Sequence, residues 1–189
     1  WGWVEADITS VLNYANFHDE GTTRAFMLLA LAKDDSVIEI KSRESGEEYA
    51  PRVIATVNTR EETFLAVEDA YVSAGINMGV NYGRVDTLKV AESLSSNSKP
   101  YEPVDENTFR TYLKFDLSKI KPGDKIDGKV VLKFYARNAG SIEKKDMILY
   151  PLDTNWTENT VSWLVGPAHQ VYSFDGLTGP IWDVRGAAN

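Results

Sequence analysis

The sequence predicts an all-β fold, namely an antiparallel β-sandwich of jelly-roll type with one short α-helix. About ten short segments are rich in strand-forming residues, and several of them alternate between apolar and polar positions. They are separated by stretches typical of turns, such as KPGD, NAGS and FDGLTG. An open α/β sheet would need helices between its strands, and helical periodicity occurs in one segment.

The predicted helix lies close to the first residue. Asp7 is a favourable N-cap, and apolar residues follow it at the spacing of one helix face, namely Ile8, Val11, Leu12 and Ala15. The pattern ends between residues 18 and 21, where a glycine follows three polar residues.

The other segments are predicted strands. The first is a continuous apolar run, RAFMLLALA, which is typical of a buried strand. The second, SVIEIKS, alternates, so that Ile38 and Ile40 share one face. Alternation in KVVLKFYA likewise separates Tyr135 and its lysine neighbours from the apolar face. The full set covers residues 24–32, 36–42, 52–57, 64–72, 86–90, 111–117, 129–136, 147–152, 160–165 and 171–174.

Composition excludes several classes of partner. The net charge of −8 disfavours nucleic acid and anionic membrane surfaces, which both attract basic proteins. Apolar runs stay well short of the roughly 18 residues of a membrane span, so we predict no membrane insertion. The chain has no cysteine, which removes disulfides and thiolate metal sites. Bound calcium is compatible with this acidic composition, and we expect no other cofactor.

Four oxygen-bearing side chains surround a glycine-containing stretch, GINMGVNYG, whose glycines we expect to need positive φ. They are the candidate calcium ligands: Asp69, Asn77, Asn81 and Asp86. Their spacing is not that of an EF-hand. Asx turns, in which such side chains bond their own backbone, are the alternative interpretation.

A single arginine follows the alternating strand that ends in SRE. We expect Arg43 to point inward, where a buried guanidinium must be paired. The predicted arrangement is a structural ion pair with Glu44 or Asp116, and contact with an anionic ligand is the alternative.

Candidate ligand-binding residues are of two kinds. Exposed tryptophan rings can stack on sugar rings, and Trp1, Trp3 and Trp182 are the least constrained of the five, whereas Trp156 and Trp163 suit a core. A basic patch is the other candidate, because alternation in YLKFD turns Lys114 outward; its members are Arg84, Lys89, Arg110 and Lys114. The sequence lacks a catalytic motif of the common hydrolase, nucleotide-binding or zinc-protease types, so we predict that the protein is not an enzyme.

Four short motifs occur in a fixed order over residues 66–167: EDAYV, NYGRVDTLKV, RTYLKFDLSKI and LDTNWTENTVSW. In order and spacing they resemble the first two thirds of a DNRLRE domain, also called carbohydrate-binding module family 96. The closing third of that family pattern resembles residues 4–57, through VEADITSVLN, RAFMLLAL, IEIKSRE and PRVIATV. The expected organisation is therefore a closing third at 1–57, a linker at 58–63 and an opening two thirds at 64–189.

This order leaves three arrangements open. The chain is a circular permutant, one period of a tandem array cut in mid-domain, or a subunit whose first third completes a neighbour's sandwich. Our first functional hypothesis is a non-catalytic extracellular structural module, joined head to tail with copies of itself. The alternative, which the resemblance implies, is a polysaccharide-binding module of a secreted or cell-surface protein, including a module for acidic polysaccharide.

Overall fold

The computed structural model describes residues 1–9, 23–30, 36–92, 108–139, 145–152, 154–166 and 181–184, and its elements are antiparallel strands. The strands are β1 (Gly2–Asp7), β2 (Thr23–Ala30), β3 (Val37–Lys41), β4 (Arg52–Val57), β5 (Arg60–Ser73), β6 (Thr87–Val90), β7 (Phe109–Asp116), β8 (Ile126–Ala139), β9 (Lys145–Leu152) and β10 (Ile181–Val184). Short 3₁₀ turns occupy Arg43–Ser45 and Gly75–Asn77. The prediction of an antiparallel all-β fold is confirmed, and jelly-roll connectivity stays a prediction.

Strand β5 joins two halves of the sheet. Hydrogen-bonded neighbours have the order β10-β9-β2-β7-β5-β4-β8-β3-β6, and β1 pairs with β8. The first half of β5 pairs with β4 and the second half with β7, with a register shift between Ala66 and Glu68. Such bulges bend a strand, which lets the two halves lie face to face as in a sandwich.

Strands from residues 1–57 are interleaved with strands from the rest of the chain. β1 pairs with β8, and β2 lies between β7 and β9. β3 lies between β8 and β6, and β4 lies between β5 and β8. The first 57 residues therefore share one sheet with the strands of residues 60–152. Their assignment as the closing third of a family domain stays a prediction.

The predicted linker at 58–63 is wrong. Asn58 and Thr59 are the two loop residues of a tight hairpin, because Val57 pairs directly with Arg60, and the next residues already belong to β5. Both loop residues have positive φ, 48° and 69°, which is the requirement of a type I′ turn. The usual sign of such a turn is a glycine in the second position, and threonine stands there instead.

Three segments differ from the predicted elements, and two predicted elements lie outside the described residues. Residues 2–7 and 181–184 form strands that the sequence pattern does not predict, and residues 160–165 are irregular rather than a strand. Thr9 donates its backbone N–H to Asp7 Oδ1 at 3.1 Å, as at a helix N-cap. The rest of the predicted helix and the predicted strand at 171–174 lie outside the described residues.

The core has two parts. The larger part lies between the halves of the sheet and takes one face of each strand, for example Phe26, Leu113 and Phe134. The smaller part lies on the outer face of β2, β5 and β7, where Trp156 and Trp163 cover Tyr112 and its neighbours. We call residues 154–166 the cover segment. Among the described residues, no helix has the length and apolar character needed to cross a membrane.

Candidate functional site

Three of the sequence motifs meet in one cluster beside the cover segment. The Arg43 guanidinium donates two hydrogen bonds to the Glu158 carboxylate, at 3.0 and 2.7 Å. Arg43 also lies 3.2 Å from Glu44 Oε1. Its backbone N–H donates to Asp69 Oδ2 at 2.8 Å. The cluster therefore fastens the SRE turn to β5 and to the cover segment.

The expected pairing of Arg43 with Asp116 is not what the structure shows. Asp116 is exposed at the end of β7, and its carboxylate accepts the Ser118 backbone N–H at 2.8 Å. Sequence reasoning missed Glu158, which stands 115 positions after Arg43. The WTE motif that contains Glu158 is the one feature of the sequence that could have pointed to it.

Asp69 is the most buried acid of this cluster. Its side chain is 0% exposed, and Oδ1 has no hydrogen-bond partner in the part of the chain that the structure describes. Burial raises the pKa of Asp69 to about 8, although the hydrogen bond from the Arg43 backbone opposes this shift. Asp69 therefore holds its proton to a much higher pH than an ordinary aspartate does.

The glycine-containing stretch holds the cover segment in place. Asn81 Nδ2 donates to the carbonyl oxygens of Glu158 and Val161, both at 2.7 Å. Gly83 approaches the same segment so closely that a Cβ atom there would lie 1.8 Å from the Glu158 oxygen. Of the three glycines expected to need positive φ, Gly75 has it, whereas Gly83 is required for space.

Three of the four candidate calcium ligands have separate side-chain partners. Asp69 accepts the Arg43 N–H as described above, and Asp86 is largely exposed and lies 3.9 Å from Lys41. Asn81 Oδ1 accepts the Gly83 N–H at 3.3 Å, as in an Asx turn. No group of three His, Asp or Glu residues that could hold a metal occurs among the described residues. The calcium hypothesis stays a prediction.

The expectation that Lys114 points into solvent is wrong. Its alternation along β7 is as predicted, but the cover segment lies over that face of the sheet. Lys114 is 7% exposed, donates to the Glu68 carboxylate and the Trp156 carbonyl, and lies 4.5 Å from the Trp156 ring centroid. Arg110 is equally buried and lies 4.6 Å from the centroid of Trp163.

The remaining members of the predicted patch are dispersed. Arg84 is exposed and donates to Asn159 Oδ1 at 3.1 and 3.2 Å. Lys89 lies on β6, 5.3 Å from the ring centroid of Phe109. Trp182 lies on β10 opposite Met147, and its side chain is outside the described part of the chain. The structure therefore does not assemble these residues into one basic surface.

A different surface does gather exposed aromatic rings. We call it the aromatic face; it consists of Trp1, Trp3, Tyr49 and Tyr135. Trp3 pairs with Tyr135 across β1 and β8, and their neighbours Val4 and Phe134 face the core, so both rings project outward. The sequence predicted that Trp1 and Trp3 are exposed and that Tyr135 points away from the apolar face. It did not predict that these rings contact one another.

Tyr135 is the centre of the aromatic face. Its ring centroid lies 6.0 Å from Trp1, 5.4 Å from Trp3 and 5.1 Å from Tyr49. Trp1, Trp3 and Tyr49 are 36%, 40% and 38% exposed, respectively. Contiguous rings that remain open to solvent are unusual on a sheet surface and commonly mark a binding site.

Four cations lie over two of these rings. Lys41 and Arg137 lie 4.9 and 4.7 Å from the centroid of Trp1. Arg52 and Lys133 lie 4.7 and 5.5 Å from the centroid of Trp3. The aromatic face therefore combines partly exposed rings with polar hydrogen-bonding groups, which is the combination that sugar rings require.

Each of these four cations also has a partner elsewhere in the protein. Lys133 lies 2.6 Å from Glu5, Arg137 lies 2.6 Å from Glu39, and Lys41 lies 3.9 Å from Asp86; these pairs join neighbouring strands or loops. The fourth cation, Arg52, donates instead to main-chain carbonyl oxygens, those of residues 47, 48 and 50.

Comparison with known families gives a match. The sequence model of carbohydrate-binding module family 96 matches residues 60–178, which is more than half of the 189 residues. The matched range includes Tyr135, Asp69 and Glu158, whereas Arg43 and the other three rings of the aromatic face precede it. Comparison with curated proteins gives no match, and comparison with solved structures gives none.

Proposed function

Because the chain belongs to carbohydrate-binding module family 96, we propose that it binds a polysaccharide through the aromatic face. The observation that carries this proposal is the contact of three exposed rings with Tyr135 on one side of the sheet. A contiguous group of partly exposed rings suits the C–H faces of successive sugar units in a polymer. The site combines residues from inside and outside the matched range, so it needs the whole chain.

The Arg43–Glu158 cluster is not the proposed site. Its side chains bond one another and the backbone, and they tie the cover segment to the sheet. The proposed role of these motif residues is therefore to maintain the fold. This assignment separates the residues that carry the family motifs from those that contact the polymer.

Affinity electrophoresis tests the proposal. The chain is run through gels that contain a soluble polysaccharide, and its retardation is compared with that of Trp3→Ala and Tyr135→Ala. We expect each substitution to weaken binding about tenfold or more, since one stacked ring supplies on the order of 1.5 kcal/mol. Ile76→Ala is a matched control, because Ile76 is a large apolar residue that is 79% exposed on another loop.

The proposal fails if both ring variants are retarded as strongly as the unchanged chain. Far-ultraviolet circular dichroism and thermal unfolding of each variant separate a lost contact from a lost fold. We also propose that the protein acts without catalysis and works outside the cell or at its surface, as the family membership suggests. Release of reducing ends from any retarding polymer would contradict the non-catalytic role.

A structural module joined head to tail is the second proposal. Its support is that β2, from residues 1–57, lies between β7 and β9 rather than at an edge. The same strand pairs could form between neighbouring chains, which would propagate into an array. Light scattering over a hundredfold range of concentration tests this. Growing assemblies support exchange between chains, and a constant monomer mass contradicts it.

A further inference from the structure

We propose that the outer edge of β1 pairs with β1 of a second copy of this chain, so that the sheets of the two copies join. Strand β1 lies on the side of β8 opposite β4, because Leu132 pairs with Ala6 on one side and with Val53 on the other. Among the described residues, no strand pairs with the far side of β1. Such an edge offers backbone groups to which another extended segment can bind.

One hydrogen bond identifies the backbone groups that face away from β8. The Ile8 N–H donates to the Val130 carbonyl oxygen at 2.8 Å. Successive residues of a strand direct their N–H and C=O groups to opposite sides, so the even-numbered residues of β1 bond β8. Trp3, Glu5 and Asp7 therefore direct theirs outward. Within the described part of the chain, these outward groups have no hydrogen-bond partner.

Strand β1 lacks the features by which proteins usually protect a sheet edge. It contains no proline or lysine, and its pairing with β8 has no bulge. Its two acids have partners on β8, because the Glu5 carboxylate lies 2.6 Å from Lys133 Nζ and the Asp7 carboxylate lies 3.4 Å from Lys129 Nζ. By contrast, the end strands β6 and β10 are each four residues long, and β6 carries Lys89.

A second copy of β1 fits this edge in an antiparallel register. The odd-numbered residues carry the outward groups, so they must lie opposite one another. With Val4 on the twofold axis, Trp3 lies opposite Glu5 of the second copy, and Trp1 lies opposite its Asp7. An axis at Glu5 would place two like charges directly opposite each other, which is destabilising. An axis at Trp3 would leave Asp7 without a partner. The contact at Val4 is isologous and closes at two chains.

This pairing brings the aromatic faces of the two copies together. Residues directly opposite each other in an antiparallel pair point to the same side of a sheet. Trp1 and Trp3 of both copies therefore lie on one side of the joined sheet, with the two β1 strands about 5 Å apart. One polysaccharide chain can then contact both faces at once, which strengthens its binding through avidity. This consequence rests on the proposed function, whereas the strand pairing does not.

Analytical ultracentrifugation tests the pairing. We expect a reversible monomer–dimer equilibrium between about 1 µM and about 500 µM, because contacts of this small size are weak. Glu5→Pro removes an outward N–H and no bond to β8, and proline is tolerated at such an edge position. Glu5→Ala is the matched control, since it removes the same side chain and keeps the N–H. We expect Glu5→Pro to dimerise about tenfold or more weakly than Glu5→Ala. Thermal unfolding verifies the fold of both variants.

Amide hydrogen exchange of the unchanged chain gives a second test that needs no variant. The amides of Val4 and Ala6 should be protected at every concentration, because they bond β8. Those of Trp3 and Glu5 should exchange several-fold more slowly at about 500 µM than at about 20 µM, because the second copy covers them. Exchange that does not change with concentration would overturn the pairing. Strong protection of Trp3 and Glu5 at the lower concentration would also overturn it, since the same chain would then cover the edge.

Affinity gels test the shared use of the two aromatic faces. We expect a retarding polysaccharide to bind Glu5→Pro about tenfold more weakly than Glu5→Ala, while a hexasaccharide binds both variants equally. Equal retardation of the two variants would overturn this shared use.

Failure of the pairing and failure of the proposed function give different results. A constant monomer mass, or equal dimerisation of Glu5→Pro and Glu5→Ala, would overturn the pairing and leave the proposed function intact. Masses above two chains that Glu5→Pro does not reduce would also overturn the pairing. Retardation that survives in Trp3→Ala and Tyr135→Ala would overturn the proposed function, whereas a dimer sensitive to Glu5→Pro would still support the pairing.

Discussion

At the scale of single residues, Asp69 shows how burial changes the protonation of a carboxyl group. The carboxyl is fully buried and one of its oxygens is unpaired within the described residues. Burial raises its pKa from the ordinary 3.8 to about 8. Folding therefore takes up a proton between these pH values. The stabilising effect of this protonation is complete below about pH 4 and is lost as the pH rises through 8.

Asp69→Asn should remove this pH dependence. The amide oxygen can still accept the Arg43 N–H, and it never ionises. Urea unfolding of both proteins from pH 5 to pH 8.5 measures the effect. Over that range the unchanged chain should lose roughly 3–5 kcal/mol of unfolding free energy relative to the variant. If the unfolding free energies of the two proteins changed equally with pH, Asp69 would be ionised in the folded state over this whole pH range.

Single residues also show where sequence reasoning succeeds and where it stops. The sequence identifies Arg43 as a residue in need of a partner, because it follows an alternating strand. It does not identify Glu158 as that partner, since nothing local links two residues so far apart. Lys114 has the predicted direction, but its burial depends on a segment more than forty residues away. The side of the sheet on which a side chain lies follows from local alternation. Whether another segment then buries that side chain depends on the tertiary structure.

At the scale of elements, the β4–β5 hairpin is an informative case. Val57 and Arg60 are paired, and Asn58 and Thr59 turn with positive φ. Asn58 tolerates this conformation and is also fixed by hydrogen bonds with residues 124 and 125. Thr59 is β-branched and fits it poorly. The dipeptide NT lacks the glycine by which such turns are usually recognised, and for this reason the sequence predicts a linker there.

Thr59→Gly should stabilise the protein by about 0.5–1 kcal/mol, because glycine adopts positive φ without strain. Thr56→Gly is the matched control within β4, and it should destabilise by a similar amount, since glycine weakens a strand. Thermal unfolding of the two variants measures both effects. A lower melting temperature for Thr59→Gly would contradict the type I′ turn at this hairpin.

The cover segment explains another difference between prediction and structure. Residues 160–165 of this segment, TVSWLV, include strand-forming residues, but the buried side chains of Val161, Ser162 and Trp163 are consecutive rather than alternate. The segment lies across the sheet instead of pairing with it. Strand propensity reports how well a side chain packs on a half-buried surface, so it cannot distinguish a strand from an irregular cover.

At the scale of the whole molecule, the fold depends on strands from both parts of the chain. Strand alternation and turn residues are local, so the all-β class and most strand positions could be predicted. The pairing of β1 with β8 could not, because the residues in contact are more than 120 positions apart. Formation of the aromatic face depends on that pairing. For this reason the sequence could identify individual rings of the aromatic face, but it could not predict that these rings contact one another.

A truncated chain of residues 58–189 should not fold alone. It lacks β1 to β4, so β7 and β9 lose the strand between them and β8 loses neighbours on both sides. We expect it to show no cooperative unfolding transition. Co-expression with residues 1–57 should restore the transition, because a missing strand can be supplied in trans. A cooperative transition of the truncated chain alone would contradict this dependence.

Nuclear magnetic resonance titration with a hexasaccharide, cut from whichever polymer retards the chain, tests binding at the aromatic face most directly. If the sugar binds at the aromatic face, the largest chemical-shift changes should occur at the Trp3 indole N–H and at the amides around Tyr49 and Tyr135. Amides of the cover segment and of β7 should remain unchanged. Shifts concentrated on the cover segment or around Arg84, with the aromatic face unaffected, would contradict it.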